Sequence, residues 1–171
     1  EIIFQRFNVM AHWFGLTKLF YLRIIHDTTT DAFEIDKELH LNRRHLPHAN
    51  GLREHYCRRW PALSVSYELK KRWDEIGRQK VLADATRIRF FDTEEEYLAL
   101  TVTRPIDENG DRQVAVMFAI EMDDHLKQTI RFWDDPAISV RTVGVTCERC
   151  EIQNCAERVS PPTFVEKRNA R

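Results

Sequence analysis

The stretch that decides the fold is Tyr97-Leu98-Ala99-Leu100-Thr101-Val102-Thr103-Arg104-Pro105-Ile106-Asp107-Glu108-Asn109-Gly110-Asp111-Arg112-Gln113-Val114-Ala115-Val116-Met117-Phe118-Ala119-Ile120. Leu98, Leu100 and Val102 alternate with Tyr97, Ala99, Thr101 and Thr103, and Val114, Val116, Phe118 and Ile120 share a second period of two. That period belongs to a strand, whose side chains alternate between faces. Asp107-Glu108-Asn109-Gly110 lies between the two runs, and Asn-Gly supplies the left-handed backbone of a tight hairpin. The stretch therefore predicts antiparallel strands over 96–104 and 112–121.

Outward from this hairpin, residues 80–91 read as a further strand. Before it, Pro61 suits a first helical turn, with Ala62, Val65, Leu69, Trp73 and Ile76 on one face and Gly77 as the stop. Leu19-Phe20-Tyr21-Leu22-Arg23-Ile24-Ile25 is almost continuously apolar, the pattern of a central strand covered on both faces. Asp27 to Asp31 form a turn. Phe33, Ile35, Leu39 and Leu41 then alternate with Glu34, Asp36, Glu38 and His40, predicting a half-buried strand antiparallel to the first.

Ile3, Phe7, Met10 and Phe14 mark an amphipathic helix over 2–14, closed at Gly15. Met122, Leu126, Ile130 and Trp133 mark another, with Asp123 and Asp124 at its positive end and Asp134-Asp135-Pro136 as the stop. The expected fold is α+β: a mostly antiparallel sheet of about five strands, helices packed on a face, and a C-terminal four-cysteine metal centre. Residues 1–16 read as a helix ending a preceding domain, 17–160 as one domain, and 161–171 as a tail.

The 171 residues are 43% apolar and 31% charged, with a formal net charge of −1. That suffices for one domain with a real core. Near-neutrality argues against a surface that binds nucleic acid wholesale. No apolar run approaches the ~18 residues of a membrane span. With no signal peptide at the start of the sequence, the expected location is cytoplasmic. H-E-x-x-H, G-x-S-x-G, P-loop and G-x-G-x-x-G patterns are absent, so the chain reads as a non-enzyme. His125, beside Asp123 and Asp124, reads as a surface residue.

Three of the four cysteines fall within nine residues, Cys147, Cys150 and Cys155, spaced C-x2-C-x4-C; the fourth is Cys57. Four thiolates are the number that a [4Fe–4S] cluster or a structural zinc takes. A reducing compartment disfavours disulfides. Zinc sites commonly arrive as two paired knuckles, whereas this chain has one pair and two single cysteines. A cluster accepts a compact triplet and a remote fourth ligand. Spacing admits both metals. Arg149, Arg58 and Arg59 are placed to offset a cluster's negative charge.

Residues 43–59 carry Arg43, Arg44, His45, His48, Arg53, His55, Arg58 and Arg59, with Pro47 and Gly51 arguing for a loop. Such a loop is either a solvated surface or an anion site, for phosphates or for a thiolate-bound cluster.

Several segments together resemble a known family: His55-Tyr56-Cys57-Arg58-Arg59-Trp60, Leu100-Thr101-Val102-Thr103-Arg104-Pro105, Arg112-Gln113-Val114-Ala115-Val116, Val143-Gly144-Val145-Thr146-Cys147-Glu148-Arg149-Cys150, Cys155-Ala156-Glu157-Arg158 and Pro161-Pro162. They are similar to the C-terminal domain of the short-chain fatty-acyl-CoA regulators, bacterial XRE-type helix-turn-helix transcription factors of acetate, propionate and glyoxylate metabolism. The resemblance covers roughly residues 17–162.

It implies that Cys57 joins Cys147, Cys150 and Cys155 on an iron–sulfur cluster, and that the domain acts as a redox- or ligand-responsive sensor. It also implies operator DNA bound through a helix-turn-helix domain outside this chain, and a homodimer at full length. A short-chain acyl-CoA would be the second input, its phosphates suiting Arg43, Arg44, Arg53, Arg58 and Arg59. The 43–55 loop departs from the family's glycine-rich version.

Overall fold

The computed structural model describes residues 6, 10–41, 54–76 and 80–169. In chain order these form β1 (Leu19–Asp27), β2 (Ala32–Leu41), α1 (Pro61–Lys71), β3 (Leu82–Phe90), β4 (Glu96–Pro105), β5 (Arg112–Glu121), α2 (Asp124–Thr129), β6 (Ser139–Val143) and α3 (Thr163–Asn169). The fold is α+β, around one mixed sheet of six strands in the order β2-β1-β5-β4-β3-β6. The expected count of about five is corrected by β6, which pairs parallel with β3 while every other pairing is antiparallel.

The β4–β5 hairpin forms as expected. Gly110 takes φ +69 at its turn, the Arg112 amide donates to Asp107 Oδ2 at 2.8 Å, and the Ile106 amide donates to the Arg112 carbonyl at 2.8 Å. A Cβ at Gly110 would also fall within the Trp73 ring, so this turn needs glycine both for its backbone and for space.

β1 lies between β2 and β5 and is covered on both faces, which accounts for its continuous apolar run. On one face Phe20, Leu22 and Ile24 join Ala115, Met117, Tyr97, Ile88 and Phe90 beneath Trp60, Ala62 and Leu63 at the start of α1. On the other, Leu19 and Tyr21 join Val114, Val116, Phe118 and Leu98 over Leu126 of α2. Helices therefore cover both faces of the sheet, not one as expected.

β2 departs from its sequence pattern in an instructive way. Its register with β1 slips between Arg23 and Ile24, so that Lys37 faces Arg23 and Ile35 faces Ile24, leaving Asp36 as the extra residue of a bulge. A one-residue slip moves side chains to the opposite face. Phe33 and Ile35 therefore pack on the α1 side, whereas Leu39 and Leu41 fall opposite Tyr21 and Leu19 and stay exposed. The Arg23 guanidinium grips the bulged carboxylate, with Nε 2.8 and 3.0 Å from the Asp36 oxygens. This holds Asp36 below the usual carboxylate range despite its partial burial.

The helices are shorter than their patterns predict. α1 starts at Pro61 but ends at Lys71, before Trp73 and Ile76. α2 is capped by Asp123, whose side chain accepts from the Leu126 amide at 2.9 Å, and stops at Thr129. Most of the helix expected over 2–14 lies outside the described residues; Arg6 and Met10 are helical, and a 3-10 turn over Ala11–Phe14 ends at Gly15, φ +69. The exposed helix α3 occupies part of the segment read as a tail. None of the helices among the described residues is long and apolar enough to cross a membrane.

Candidate metal centre

Two remote segments meet above the end of β6. The Cys57 amide donates to the Val145 carbonyl at 3.0 Å and the Cys147 amide to the His55 carbonyl at 2.8 Å, with Tyr56 bridging Thr146 antiparallel. This short ribbon places the remote cysteine beside the C-terminal triplet. Charged residues lock it from both sides. Glu54 accepts from Thr146 Oγ1 at 2.6 Å and from Arg149 at 2.6 to 3.1 Å. Glu148 accepts from the His55 amide at 2.9 Å, and its Oε1 lies 2.7 Å from His55 Nδ1. Burial alone would raise both carboxyl groups. The hydrogen bonds from Arg149 and Thr146 on Glu54, and from His55 on Glu148, outweigh it and hold both below their ordinary values.

The triplet is shaped by its own backbone. Cys147–Arg149 forms a 3-10 turn that brings Cys150 back toward Cys147, and Asn154 takes φ 52 to turn Cys155 inward. Asparagine tolerates that left-handed conformation better than most residues. Arg158 then staples the loop: its guanidinium donates to the carbonyls of Cys147 at 2.9 Å, Cys150 at 3.1 Å and Ile152 at 2.8 Å.

All four expected ligands line one cavity, together with Arg58, Arg59, Glu157 and Arg158. Cys57, Cys147 and Cys150 are buried, Cys155 is half-buried, and all four are free thiols. Gly144 sits between two of them. Its amide donates to Cys57 Sγ at 3.3 Å, and a Cβ placed on it would stand 3.1 Å from Cys150 Sγ. In this side-chain arrangement no three His, Cys, Asp or Glu groups among the described residues close on a single-ion position.

Burial pushes the Cys57 thiol up to about 11, against the Gly144 and Arg59 amides, and the neighbouring Cys150 and Cys147 raise it further. Cys150 is also raised, first by burial. Thiols crowded in this way release their protons when a metal cation supplies the compensating charge. Four soft sulfur donors, an amide directed at one sulfur and arginines along the wall fit a four-thiolate centre, zinc or iron–sulfur.

The expected arginines divide. Arg43, Arg44 and Arg53 lie outside the described residues. Arg58 and Arg59 reach the cavity wall but are engaged by protein groups: Arg58 by Asp31, and Arg59 by the Thr142 carbonyl at 2.7 Å and Glu157 at 3.6 Å. Arg149, read as a counter-charge, pairs with Glu54 and lies 4.3 Å over the Phe164 ring. Sequence reasoning missed Glu54, Gly144 and Arg158. The first had a visible signal: Glu54-His55 before one cysteine and Glu148-Arg149 after another are complementary in charge when the segments run antiparallel.

No protein-family model, no curated protein and no solved structure matches this chain.

Proposed function

We propose that the chain is the C-terminal iron–sulfur sensor and ligand-binding domain of a bacterial transcriptional regulator of short-chain acyl-CoA metabolism. The observation that carries this reading is the meeting of Cys57 with the C-terminal triplet around one cavity, with Gly144 between Cys57 and Cys150. The resemblance of the motifs on both sides supplies the regulatory half. Cysteine ligands Cys57, Cys147, Cys150 and Cys155 would complete every iron of a [4Fe–4S] cluster. Such a centre suits sensing, electron transfer or structure more than substrate chemistry, so the domain is read as non-catalytic.

When bound, the cluster supplies a centre whose charge and integrity change with redox state. The chain's own residues set the consequences. Arg158 ties the carbonyls of the ligand loop together, and the Glu54 and Glu148 pairs tie that loop to the Cys57 segment. Cys57 leads within four residues into α1, which covers one face of the sheet. Loss of the cluster therefore bears on the position of α1. A signal regulates only by acting differently on two states. The test is an operator titration of the full-length protein, cluster-bearing and cluster-stripped, each with and without acetyl- or propionyl-CoA. Operator affinity that changes on cluster loss, on acyl-CoA addition or on both supports the reading. Equal affinities in all four conditions, with the stripped protein still folded, reduce the centre to a passive staple such as a structural zinc.

A further inference from the structure

Beside the cysteine cavity lies a second one of about 410 Å³, bounded by α1, β6 and the Arg158 segment. Its volume falls in the range of small-molecule sites. We propose that this cavity binds a small oxyanion, carboxylate or phosphate, through Arg141 with Arg58 and Arg158 around it.

The cavity is walled by the guanidiniums of Arg58, Arg141 and Arg158 against the carboxylates of Asp31 and Glu157, three positive charges to two negative. Arg58 is neutralised by Asp31. Glu157 faces Arg59. Arg158 and Arg141 are bound only to neutral oxygens among the described residues. Arg158 spends its Nη groups on four main-chain carbonyls and contributes charge more than free donors.

Arg141 is different. Its Nη1 reaches Ser64 Oγ and the Arg59 carbonyl, at 3.4 Å for the latter, which leaves Nε and Nη2 without a partner among the described residues. Those N–H groups form one edge of the planar fork that matches a carboxylate or phosphate. The side chain is held half-buried, where a charge is screened less than in open water. Ser64 and Tyr67 border the same cavity, but their hydroxyls donate to the Trp60 carbonyl and to Asp31, so the free donors are those of Arg141. An anion here neutralises the excess positive charge and takes the vacant fork. Arg58, Glu157 and Arg158 also wall the cysteine cavity, so the anion sits next to the proposed centre without touching its ligands.

Calorimetric titration with inorganic phosphate, and separately with succinate, tests this on the wild-type chain, Arg141→Gln, Arg141→Lys and Arg72→Gln. Arg72 borders a neighbouring cavity that Ser64 and Arg141 also line, so its variant distinguishes an anion held in this cavity from one held in that. The expected result is saturable binding of at least one anion, weakened ten-fold or more by Arg141→Gln and less by Arg141→Lys, and unchanged by Arg72→Gln. The tighter anion identifies the ligand chemistry. Absence of saturable binding for both anions, or equal affinity in wild type and either Arg141 variant with native circular dichroism, overturns the proposal. The titration is run on metal-loaded and metal-free protein. Anion binding by a colourless protein would separate this inference from the cluster reading.

Discussion

Gly144→Ala puts the proximity of Cys57 and Cys150 under strain without removing a ligand. A Cβ at position 144 would stand 3.1 Å from Cys150 Sγ and 3.4 Å from its Cβ, with an ordinary 3.6 Å contact to Phe91. Gly144 is not in the left-handed region, so alanine costs nothing in backbone conformation there. In metal-free protein the Cys150 side chain can rotate away. Crowding is then small, and alanine's lower unfolded-state entropy returns about 0.4–1 kcal/mol. With Cys150 fixed on a metal the sulfur cannot yield, and overpacking of this kind costs about 1–3 kcal/mol. We expect metal-free stability within about 1 kcal/mol of wild type, but metal retention weakened by roughly five-fold to a hundred-fold or more, from those 1–3 kcal/mol at about 1.4 kcal/mol per decade. Chelator competition measures retention, and urea unfolding of stripped protein measures the fold. Wild-type retention by a folded Gly144→Ala protein would show that Cys150 is not held on a metal where the structure places it.

Two pH-linked predictions follow from buried groups. Glu54, held below its ordinary value, contributes stability that is complete above its unfolded pKa of about 4.3 and is lost as pH falls through the folded value. Glu54→Gln should cost about 1–3 kcal/mol at neutral pH and flatten the acid limb of a urea-unfolding series; an unchanged limb counts against it. His26 is fully buried, with Nδ1 2.8 Å from Ser66 Oγ, and burial lowers its pKa despite the opposing pull of Asp31. The unfolded chain then binds a proton that the folded one refuses, so stability falls as pH drops below about 6.5. His26→Gln should remove that slope, and an identical slope in the variant would show that another group is responsible.

Local chemistry accounts for the parts of the fold that were legible. The Asn109-Gly110 turn and its flanking alternation need no distant partner to be recognised, and the apolar run of β1 reports directly that both its faces are covered. β6 was illegible because Ser139-Val140-Arg141-Thr142-Val143 buries only Val143 and exists through a parallel pairing with β3, distant in sequence. The Asp36 bulge was illegible because alternation looks the same on either face; only the partner strand reveals the slip. At the site, thiol count and spacing pointed to Cys57 as the companion of the triplet. The residues that position it were not legible: Gly144 matters through a backbone amide, and Arg158 through carbonyls that any sequence would present.

Iron, sulfide and zinc content, with the visible absorption spectrum, should be measured on anaerobically purified wild-type chain and its Cys57→Ser variant. The wild-type protein should be brown with about four irons per chain, and the Cys57→Ser protein should lose the colour and expose residues 140–160 to protease. A colourless wild-type protein carrying one zinc, or a Cys57→Ser protein that keeps its full iron content and protease pattern, would contradict the four-cysteine iron–sulfur centre.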